Sequence, residues 1–499
     1  MEFIPLYYKN KLELVNPSGD VGVVSLWSPV NAIQKHFQNA NIDLSCDSSR
    51  IAVFGTLYGE GLPELLRNLL YNPQLRYLVL FGVDLGTSRE SLKGFFENGL
   101  ELTDCLGAPV HQIIGTNRKL DGEVQPDDFH KRLQLVDLGT PKEPGLEERI
   151  KGFFKALPGI SDVEHERLDI PIPKIAVARS PSDPSGHNII ANTPLAAWKE
   201  LVHRLFHFGY KQTLKKGIRV ELQNVKVTIK EPREESEAAL KEHGFSLDDF
   251  ISYQKSILSP ALPPDQEYGY GNRIRGYFGK EKSTYSPDTL SKAVELLKKD
   301  PESRHVYISL WDTARDLLSD EKGHPCLISL FFRKFEGRLT MTAVFRTHNA
   351  LRAWIENLYG LIAIQRFVAD GSAIPPGAIT IMSHSISIAP QGNGLTQAET
   401  VCAFRDQELQ AKFADKERLA DQDPNGDFLI SVDDDALEII LEHRFEGQQI
   451  KRYTGSSAEE LEQQIVSDVA ISKISHALYL GRELGRAETR LKSLERKKR

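Results

Sequence analysis

Short apolar runs alternate with segments of helical spacing through the first part of the chain. The apolar runs predict strands at residues 51–55, 75–82, 110–115 and 133–138. Between them the spacing predicts helices at residues 62–70 and 88–98, the second ending at Gly99. Strands that alternate with helices pair in parallel, because each helix carries the chain back over the sheet. The pattern therefore predicts a small parallel-sheet, Rossmann-like α/β domain over residues 1–140.

The chain has 499 residues, which is more than one hydrophobic core accommodates, so several domains are expected. Residues 141–172 are rich in charge, proline and glycine and are predicted to be a linker that contains one helix. A second α/β domain is predicted over residues 173–392, opening with a strand at 174–179. Residues 393–499 are predicted to be an accessory module of β-strands followed by a long helix from Ser457 onwards. The net charge of −7 argues against a nucleic-acid partner.

The cysteine pattern indicates a reducing compartment. Cys46, Cys105, Cys326 and Cys402 lie far apart and form no CxxC pair, which argues against a zinc site or a disulfide scaffold. Residues 1–10 carry no apolar signal segment, and no apolar stretch reaches membrane-spanning length. We therefore expect a cytoplasmic protein with no metal site and no membrane partner.

Cys326 lies between the turn at residues 323–325 and the apolar, strand-like run at 327–332. Arg346 follows on the next predicted strand. A thiolate is the reactive form of cysteine, and a nearby guanidinium favours it. A lone cysteine is more commonly a small buried hydrophobe. The surroundings of Cys326 favour the nucleophile.

Several further motifs stand in a fixed order around Cys326. They occupy residues 270–275, 300–304, 325–326, 346–349, 357 and 383–385. In this order and spacing the chain resembles the thymidylate synthase family over about residues 268–390. A predicted helix at 194–208 and a predicted strand at 218–229 resemble the archaeal-type branch of that family. The resemblance implies an α/β (α+β) fold with a thymidylate-synthase-type layered β-sheet core and helices, preceded by the small parallel-sheet domain.

The resemblance also implies a reaction. A thiolate that adds to C6 of a pyrimidine makes C5 able to attack a one-carbon donor. By resemblance, Cys326 is this nucleophile, and Arg346 holds its thiolate and contacts the nucleotide phosphate. Tyr270 helps to remove the proton from C5. The implied activity is that of a methyltransferase converting dUMP to dTMP.

The same resemblance implies five substrate-binding residues. The amide of Asn357 would read O4 and N3–H of uracil. His384 would lie near the sugar hydroxyl, and Arg219 would be a further phosphate ligand. Asn349 stands where family members contact the folate pterin. Arg304 would reach the phosphate bound by the neighbouring subunit, which implies a homodimer.

Some positions depart from the family pattern. His203 is followed by an arginine, where family members usually carry a glutamate, so Glu221 or Glu356 would have to substitute for the missing acid. Leu327 follows the nucleophile in place of a histidine. Ile386 replaces a tyrosine that binds the deoxyribose. These departures lie on the cofactor and sugar sides of the expected site, whereas the nucleophile and the base-reading asparagine are retained.

The departures leave two alternatives beside dUMP methylation. If water attacks the exocyclic methylene, the product is a 5-hydroxymethyl pyrimidine nucleotide from dUMP, dCMP or CMP. The chain could also bind a nucleotide without turnover. The expected one-carbon carrier is 5,10-methylenetetrahydrofolate or a tetrahydromethanopterin equivalent.

The N-terminal domain resembles the cobalamin-binding component of tetrahydromethanopterin S-methyltransferase over about residues 49–138. The corrinoid of that family needs a histidine after the second strand, where this chain has residues 86–88, Gly-Thr-Ser. A corrinoid is therefore not expected. We expect this domain to be a structural α/β module that serves dimer contacts or carrier delivery. The C-terminal strings at residues 423–428 and 476–484 show no catalytic spacing.

Overall fold

The computed structural model describes residues 1–130, 132–160, 165–262, 266–278, 288–318, 323–414 and 423–498. Part of the predicted linker, residues 161–164, and Arg499 at the end of the predicted C-terminal helix lie outside the described residues. The chain forms two compact units, Met1–Glu399 and Thr400–Arg499. All the site residues named above lie in the first unit.

The first part of this unit is an α/β arrangement with two sheets. Its strands are β1 (Glu13–Leu14), β2 (Val21–Val24), β3 (Ile51–Gly55), β4 (Tyr77–Phe81), β5 (Leu100–Cys105), β6 (Ala108–Ile113), β7 (Lys119–Leu120) and β8 (Gln134–Gly139). Its helices are α1 (Val30–Asn39), α2 (Leu62–Tyr71), α3 (Ser88–Glu97) and α4 (Leu146–Ala156). The main sheet has the order β1-β3-β2-β4-β8, and all its pairs are parallel except β1 with β3. The predicted small parallel sheet is confirmed.

The predicted strand at 110–115 does not join that sheet, so this part of the prediction was wrong. It corresponds to β6, which pairs antiparallel with β5 and β7 in a separate sheet. The cause is local: Leu106 and Gly107 both have positive φ (56° and 86°), the geometry of a two-residue hairpin turn. A hairpin of this kind pairs β6 with its immediate neighbour and removes it from the parallel series.

Helix α4 lies within the segment predicted as a linker and packs against the main sheet. Leu146 and Ile150 are buried with Phe37, Phe54 and Phe81. A helix with one apolar face must bury that face against another element, and here that element is the sheet.

The rest of the first unit is built around a second, larger sheet. Its strands are β9 (Asn188–Ala191), β10 (Tyr210–Leu214), β11 (Gly217–Ile229), β12 (Val306–Ser309), β13 (Leu327–Phe335), β14 (Arg338–Asn349) and β15 (Pro376–Ile388). The helices of the described residues are α5 (Pro194–Phe208), α6 (Glu237–Lys241), α7 (Leu247–Ile257), α8 (Tyr270–Asn272), α9 (Thr289–Lys299), α10 (Thr313–Asp316), α11 (Ala353–Ser372) and α12 (Gly394–Ala414), the last crossing the boundary between units. The sheet has the order β10-β11-β15-β14-β13-β12, with β9 paired to β11.

Two predictions of local structure in this region have different outcomes. The helix at 194–208 and the strand at 218–229 are confirmed as α5 and β11. Residues 174–179 form no strand, because their backbone pairs with no neighbouring strand and most of their side chains are exposed. An apolar run becomes a strand only where a partner strand accepts its hydrogen bonds.

Helix α11 is the central helix of this region. Trp354, Ile355 and Leu358 on its first turns are fully buried, and its residues contact β14, β15 and α7. A helix that is apolar on all sides belongs in the interior of a domain. Its position brings polar residues of α11 beside β14, which carries Arg346 and pairs with the strand that follows Cys326.

Among the described residues, the second unit contains the larger part of α12, a three-stranded antiparallel sheet and two further helices. Its other elements are β16 (Asp427–Asp433), β17 (Glu438–Phe445), β18 (Gln448–Gly455), α13 (Ala458–Ser467) and α14 (Ile474–Lys498). One continuous helix was predicted from Ser457, and this was wrong. The chain breaks between α13 and α14, where Val469 has φ 52°, and the side chain of Asp423 accepts N–H groups from Ser472 and Lys473 at the new helix start.

In the part of the chain that the structure describes, no helix combines the length and apolar character needed to cross a membrane.

Candidate active site

The loop that carries Cys326 is held by Arg346. The Arg346 Nε donates to the Pro325 carbonyl at 2.9 Å, and Nη2 donates to the His324 carbonyl at 3.0 Å. The backbone N–H of Arg346 donates to the Cys326 carbonyl at 3.0 Å. These contacts arise because β13 and β14 are antiparallel neighbours. The structure therefore brings the two predicted residues together and fixes the backbone on either side of the thiol, which is free and half-buried.

Two tyrosines lie beside the Cys326 thiol. The Tyr268 and Tyr270 rings are 5.8 Å apart, and the Tyr270 hydroxyl accepts the Leu327 N–H at 3.3 Å. Burial and the nearby Cys326 raise the pKa of Tyr268, while Arg346 lowers it. Burial, Tyr268 and Cys326 hold the pKa of Tyr270 well above its usual value. Both phenols therefore keep their protons at neutral pH and can donate hydrogen bonds.

A third tyrosine, Tyr253 on α7, was not identified from the sequence. Its hydroxyl donates to Asn357 Oδ1 at 2.6 Å. Burial raises the pKa of Tyr253 strongly, and the charges of Glu356, Tyr268 and Cys326 raise it further. Tyr253 is thus hydrogen-bonded to Asn357 and interacts electrostatically with the tyrosines around the thiol.

Asn357 lies in the first half of α11 and is buried, so it is not a helix cap. Its Nδ2 donates to His348 Nε2 at 3.0 Å, and His348 Nδ1 lies 2.8 Å from Ser383 Oγ. Burial lowers the pKa of His348 to about 3, which keeps its ring neutral at physiological pH. The carboxamide is therefore held from two sides, by His348 and by Tyr253.

Asn349 has a structural role at the exposed end of β14. Its Oδ1 accepts the N–H groups of Leu351 at 3.1 Å and Arg352 at 3.2 Å, which closes the turn between β14 and α11. Its Nδ2 group remains a donor. The predicted contact with a pterin stays a prediction.

Three predicted ligands lie apart from the hydrogen-bonded cluster around Cys326. Arg304 is exposed in the loop before β12. His384 is exposed on β15, with Nδ1 3.1 Å from Asn224 Oδ1. Arg219 is half-buried on β11 and donates to the Ile218 carbonyl at 2.9 Å. No hydrogen bond among the described residues connects these three to the cluster, so their roles toward phosphate and sugar stay predictions.

The described residues include no group of histidine, cysteine and acidic side chains arranged to hold a metal ion.

Comparison with known proteins identifies the family. Residues 201–391 match the family model described as Thymidylate synthase. The protein named "Putative thymidylate synthase" from Methanothermobacter thermautotrophicus is 32% identical over 239 residues, which is 43% of this chain and 98% of the relative. The chain belongs to the thymidylate synthase family.

Two other relatives carry the same name. The one from Methanothermobacter marburgensis is 41% identical over 120 residues, 24% of this chain and 49% of the relative. The one from Methanococcoides burtonii is 29% identical over 204 residues, 41% of this chain and 89% of the relative. The thymidylate synthase fold expected from the sequence is confirmed, and membership indicates a transferase family that uses a nucleotide and a folate or pterin.

A second family model, described as PterinBD-DUF4346, matches residues 422–497. This range falls in the second unit and covers β16 to α14. Together with the thymidylate synthase match it indicates a folate or pterin cofactor. Neither matched range includes residues 49–138, so the resemblance of that segment to a methyltransferase component stays a prediction.

The glutamate usual in thymidylate synthases is missing here, and the two suggested substitutes differ in position. The Glu356 carboxylate accepts from Arg352 Nε at 2.7 Å, and its charge contributes to the raised pKa of Tyr253. Glu221 lies on β11, paired with Tyr210 and Ser387. Of these two, Glu356 is thereby the one linked electrostatically to the tyrosines around Cys326.

The sequence contained one usable signal for the residues that were missed. His348 stands two residues after Arg346, so the alternation of a regular strand predicts both side chains on one face of the sheet. In the structure the His348 ring packs on Phe345, with the ring centroids 3.8 Å apart. Tyr253 offered no such signal, because helical spacing shows which face is apolar and not which element that face will meet.

Proposed function

We propose that this chain transfers a one-carbon unit to C5 of a pyrimidine nucleotide, converting dUMP to dTMP through a covalent bond between Cys326 and C6. The observation that carries the proposal is the single cluster in which Cys326, Arg346 and Tyr270 lie beside Tyr253 and Asn357. A nucleophile, a cation, proton donors and a base-reading amide are the groups that this reaction needs.

Each residue of the cluster has a task that follows from its position. Arg346 holds the loop rigid and places a positive charge near the thiol, which favours the attacking thiolate. Addition at C6 moves an electron pair onto C5 and O4 of the ring. The Tyr270 hydroxyl, fixed by the Leu327 N–H, relays the C5 proton to water after the new carbon bond forms. Loss of this proton would allow the transferred carbon to separate from the carrier nitrogen and to form an exocyclic methylene on C5. Addition of hydride or water to this methylene would then break the Cys326–C6 bond, which restores the C5–C6 double bond and the thiolate.

The bound reduced pterin supplies the one-carbon unit and, for a methyl product, a hydride. The chain fits such a group at the exposed Asn349, whose Nδ2 can donate to a pterin acceptor while Oδ1 holds the turn before α11. We propose 5,10-methylenetetrahydrofolate or a tetrahydromethanopterin equivalent as the carrier. Arg219 and Arg304 are proposed to bind phosphate, the latter across a homodimer, and His384 to bind the sugar. Because the nucleophile is a free thiol, we place this step of dTMP biosynthesis in the cytoplasm.

A second candidate is 5-hydroxymethylation of the pyrimidine. Two observations favour it. The Asn349 oxygen is used by the turn before α11, and Ile386 is fully buried and brings no hydroxyl to a sugar. Water would attack the exocyclic methylene in place of hydride. Mass spectrometry of the product separates the two reactions, because hydroxymethyl exceeds methyl by one oxygen atom.

The deciding experiment uses 5-fluoro-dUMP with methylenetetrahydrofolate and mass spectrometry of the intact protein. Fluorine at C5 blocks loss of the ring substituent, so we expect a stable ternary adduct on Cys326. Cys326→Ala should give no adduct, and Cys105→Ala, which alters another free thiol, should give the wild-type adduct.

An adduct that survives Cys326→Ala would exclude this nucleophile. A folded wild-type protein that binds 5-fluoro-dUMP without forming any adduct would point to the remaining alternative, a nucleotide-binding protein without turnover.

A further inference from the structure

We propose that His348, held by Ser383, fixes the orientation of the Asn357 amide and thereby selects uracil over cytosine nucleotides. His348 is in this sense a positioning residue. The inference rests on the proposed function, because it supposes that Asn357 faces the pyrimidine ring.

The geometry is a chain of buried hydrogen bonds. Ser383 Oγ lies 2.8 Å from His348 Nδ1, His348 Nε2 lies 3.0 Å from Asn357 Nδ2, and the Tyr253 hydroxyl lies 2.6 Å from Asn357 Oδ1. The exposed fractions of Ser383, His348 and Asn357 are 1%, 4% and 7%. Buried polar groups of this kind depend on one another for hydrogen bonds, because water does not replace a lost partner.

The direction of each bond follows from the chemistry of a neutral imidazole. Such a ring has one donor and one acceptor nitrogen, and burial keeps His348 neutral. When Nε2 accepts from Asn357, the proton is on Nδ1 and is donated to Ser383 Oγ. If the Asn357 amide turned over, the imidazole proton would have to move from Nδ1 to Nε2. At the same time the Ser383 hydroxyl would have to become a donor and the Tyr253 hydroxyl an acceptor.

The fixed amide matches one pyrimidine edge. His348 and Tyr253 use one donor and one acceptor of Asn357, leaving one N–H and one oxygen lone pair for the base. Uracil presents an acceptor at O4 and a donor at N3–H, which these two groups satisfy. Cytosine presents the reverse order and would need the amide turned over. The discrimination between uracil and cytosine therefore depends on the hydrogen bonds that keep the Asn357 amide from turning over.

His348 can stand in for the histidine that follows the nucleophile in the family pattern. Leu327 follows the nucleophile where the family pattern has a histidine, and it is fully buried without any polar group. An imidazole supplied from β14 meets the Asn357 amide instead. The histidine near the base is therefore provided by a different strand.

The test measures binding and C5-proton exchange for dUMP and dCMP side by side. We expect wild type to prefer dUMP. The quantity compared is the preference for dUMP over dCMP, taken as the ratio of their affinities and of their exchange rates. His348→Leu and His348→Asn should lower this dUMP-to-dCMP ratio by about tenfold or more, because both remove the acceptor at the Nε2 position. His348→Gln should keep part of the ratio, because its amide reaches about as far as Nε2. Ser383→Ala is a smaller change and should also lower the dUMP-to-dCMP ratio. If the His348 variants fail to fold, the ratio measured for Ser383→Ala tests the proposal in their place.

His187 provides a matched control. It is as buried as His348 but lies before β9, and His187→Leu should leave the dUMP-to-dCMP ratio unchanged. A folded His348→Leu that keeps the wild-type ratio would overturn the inference, as would a wild-type preference for dCMP. A wild-type protein that binds neither nucleotide would instead overturn the proposed function, and this inference with it.

Discussion

Arg273 and Asp316 form a two-point ion pair that is almost excluded from solvent. Arg273 Nη1 and Nη2 donate to the two Asp316 oxygens at 2.9 and 2.8 Å, and the exposed fractions of the side chains are 2% and 1%. Asp316 also accepts the Asp312 N–H at 2.8 Å. The pair joins the helical turn that follows α8 to α10, and α8 begins with Tyr270.

Removing one partner of this pair leaves the other charged, buried and unpaired. We therefore expect Asp316→Ala to lower the free energy of unfolding by about 3–5 kcal/mol, measured by urea denaturation. The control is Lys241→Ala, which breaks an exposed pair with Glu237 and should cost no more than about 0.5 kcal/mol. If the two variants lost equal free energies of unfolding, the Arg273–Asp316 pair would have to be hydrated in solution.

At the level of single residues, the sequence predicted Cys326 as the nucleophile and placed Arg346 beside it, but it did not predict what surrounds Asn357. Cys326 and Arg346 belong to short motifs on adjacent strands, and antiparallel pairing of adjacent strands brings them together. Tyr253 and Asn357 are 104 positions apart in the chain and meet only because α7 packs on α11. The spacing of residues along one helix does not show which residues of another helix they will contact.

At the level of elements, the packing of α7 on α11 depends on Gly360. A Cβ atom at this position would lie 2.7 Å from Tyr253 Cε1 and 2.8 Å from Ile257 Cδ1. These distances are shorter than carbon atoms tolerate, so the Tyr253 and Ile257 side chains, or α7 with them, would have to shift. Gly360 thus allows the close approach that places the Tyr253 hydroxyl on Asn357.

We expect Gly360→Ala to lower the free energy of unfolding by about 1–3 kcal/mol, since forced overpacking exceeds the gain in helix propensity. Adduct formation with 5-fluoro-dUMP should slow as well, because Tyr253 is displaced. The matched control is Gly485→Ala on α14, where nothing lies within 4 Å of an added Cβ.

The control should be more stable than wild type by about 0.5–1 kcal/mol, as expected for alanine in an open helix position. Denaturant unfolding and the rate of adduct formation provide both measurements. If Gly360→Ala were as harmless as Gly485→Ala, the close contact of α7 with α11 would not be needed for the site.

At the level of the whole molecule, we expect a two-fold dimer whose sites are completed across the interface. Arg304 is exposed and has no described contact with the Cys326 cluster of its own chain, as a phosphate ligand for a neighbouring subunit would require. In a two-fold dimer each subunit gives the other the same residue.

Mixing two inactive variants tests this arrangement. Cys326→Ala and Arg304→Ala homodimers should each have little activity, whereas subunit exchange in an equal mixture should restore about a quarter of the wild-type activity. Half of the exchanged dimers are mixed, and each mixed dimer has one site with both native residues. No recovery after proven subunit exchange would show that Arg304 does not act across the interface.

The sequence by itself determined the features that depend on neighbouring residues in the chain. Apolar periodicity and stop residues predicted β3, α2 and α5, and the order of the motifs predicted the family. The same motifs led to the prediction that Cys326 is the nucleophile. Such signals are local, because a strand or helix buries a face that its own residues define.

Tertiary structure decided how these elements meet. It separated β6 from the parallel sheet through the turn at Leu106 and Gly107, and it left residues 174–179 without a partner strand. It also joined Ser383, His348, Asn357 and Tyr253, which come from four different elements. The physical reason is that a buried polar group takes its partner from whatever element packs against it, and packing follows from the shape of the whole core.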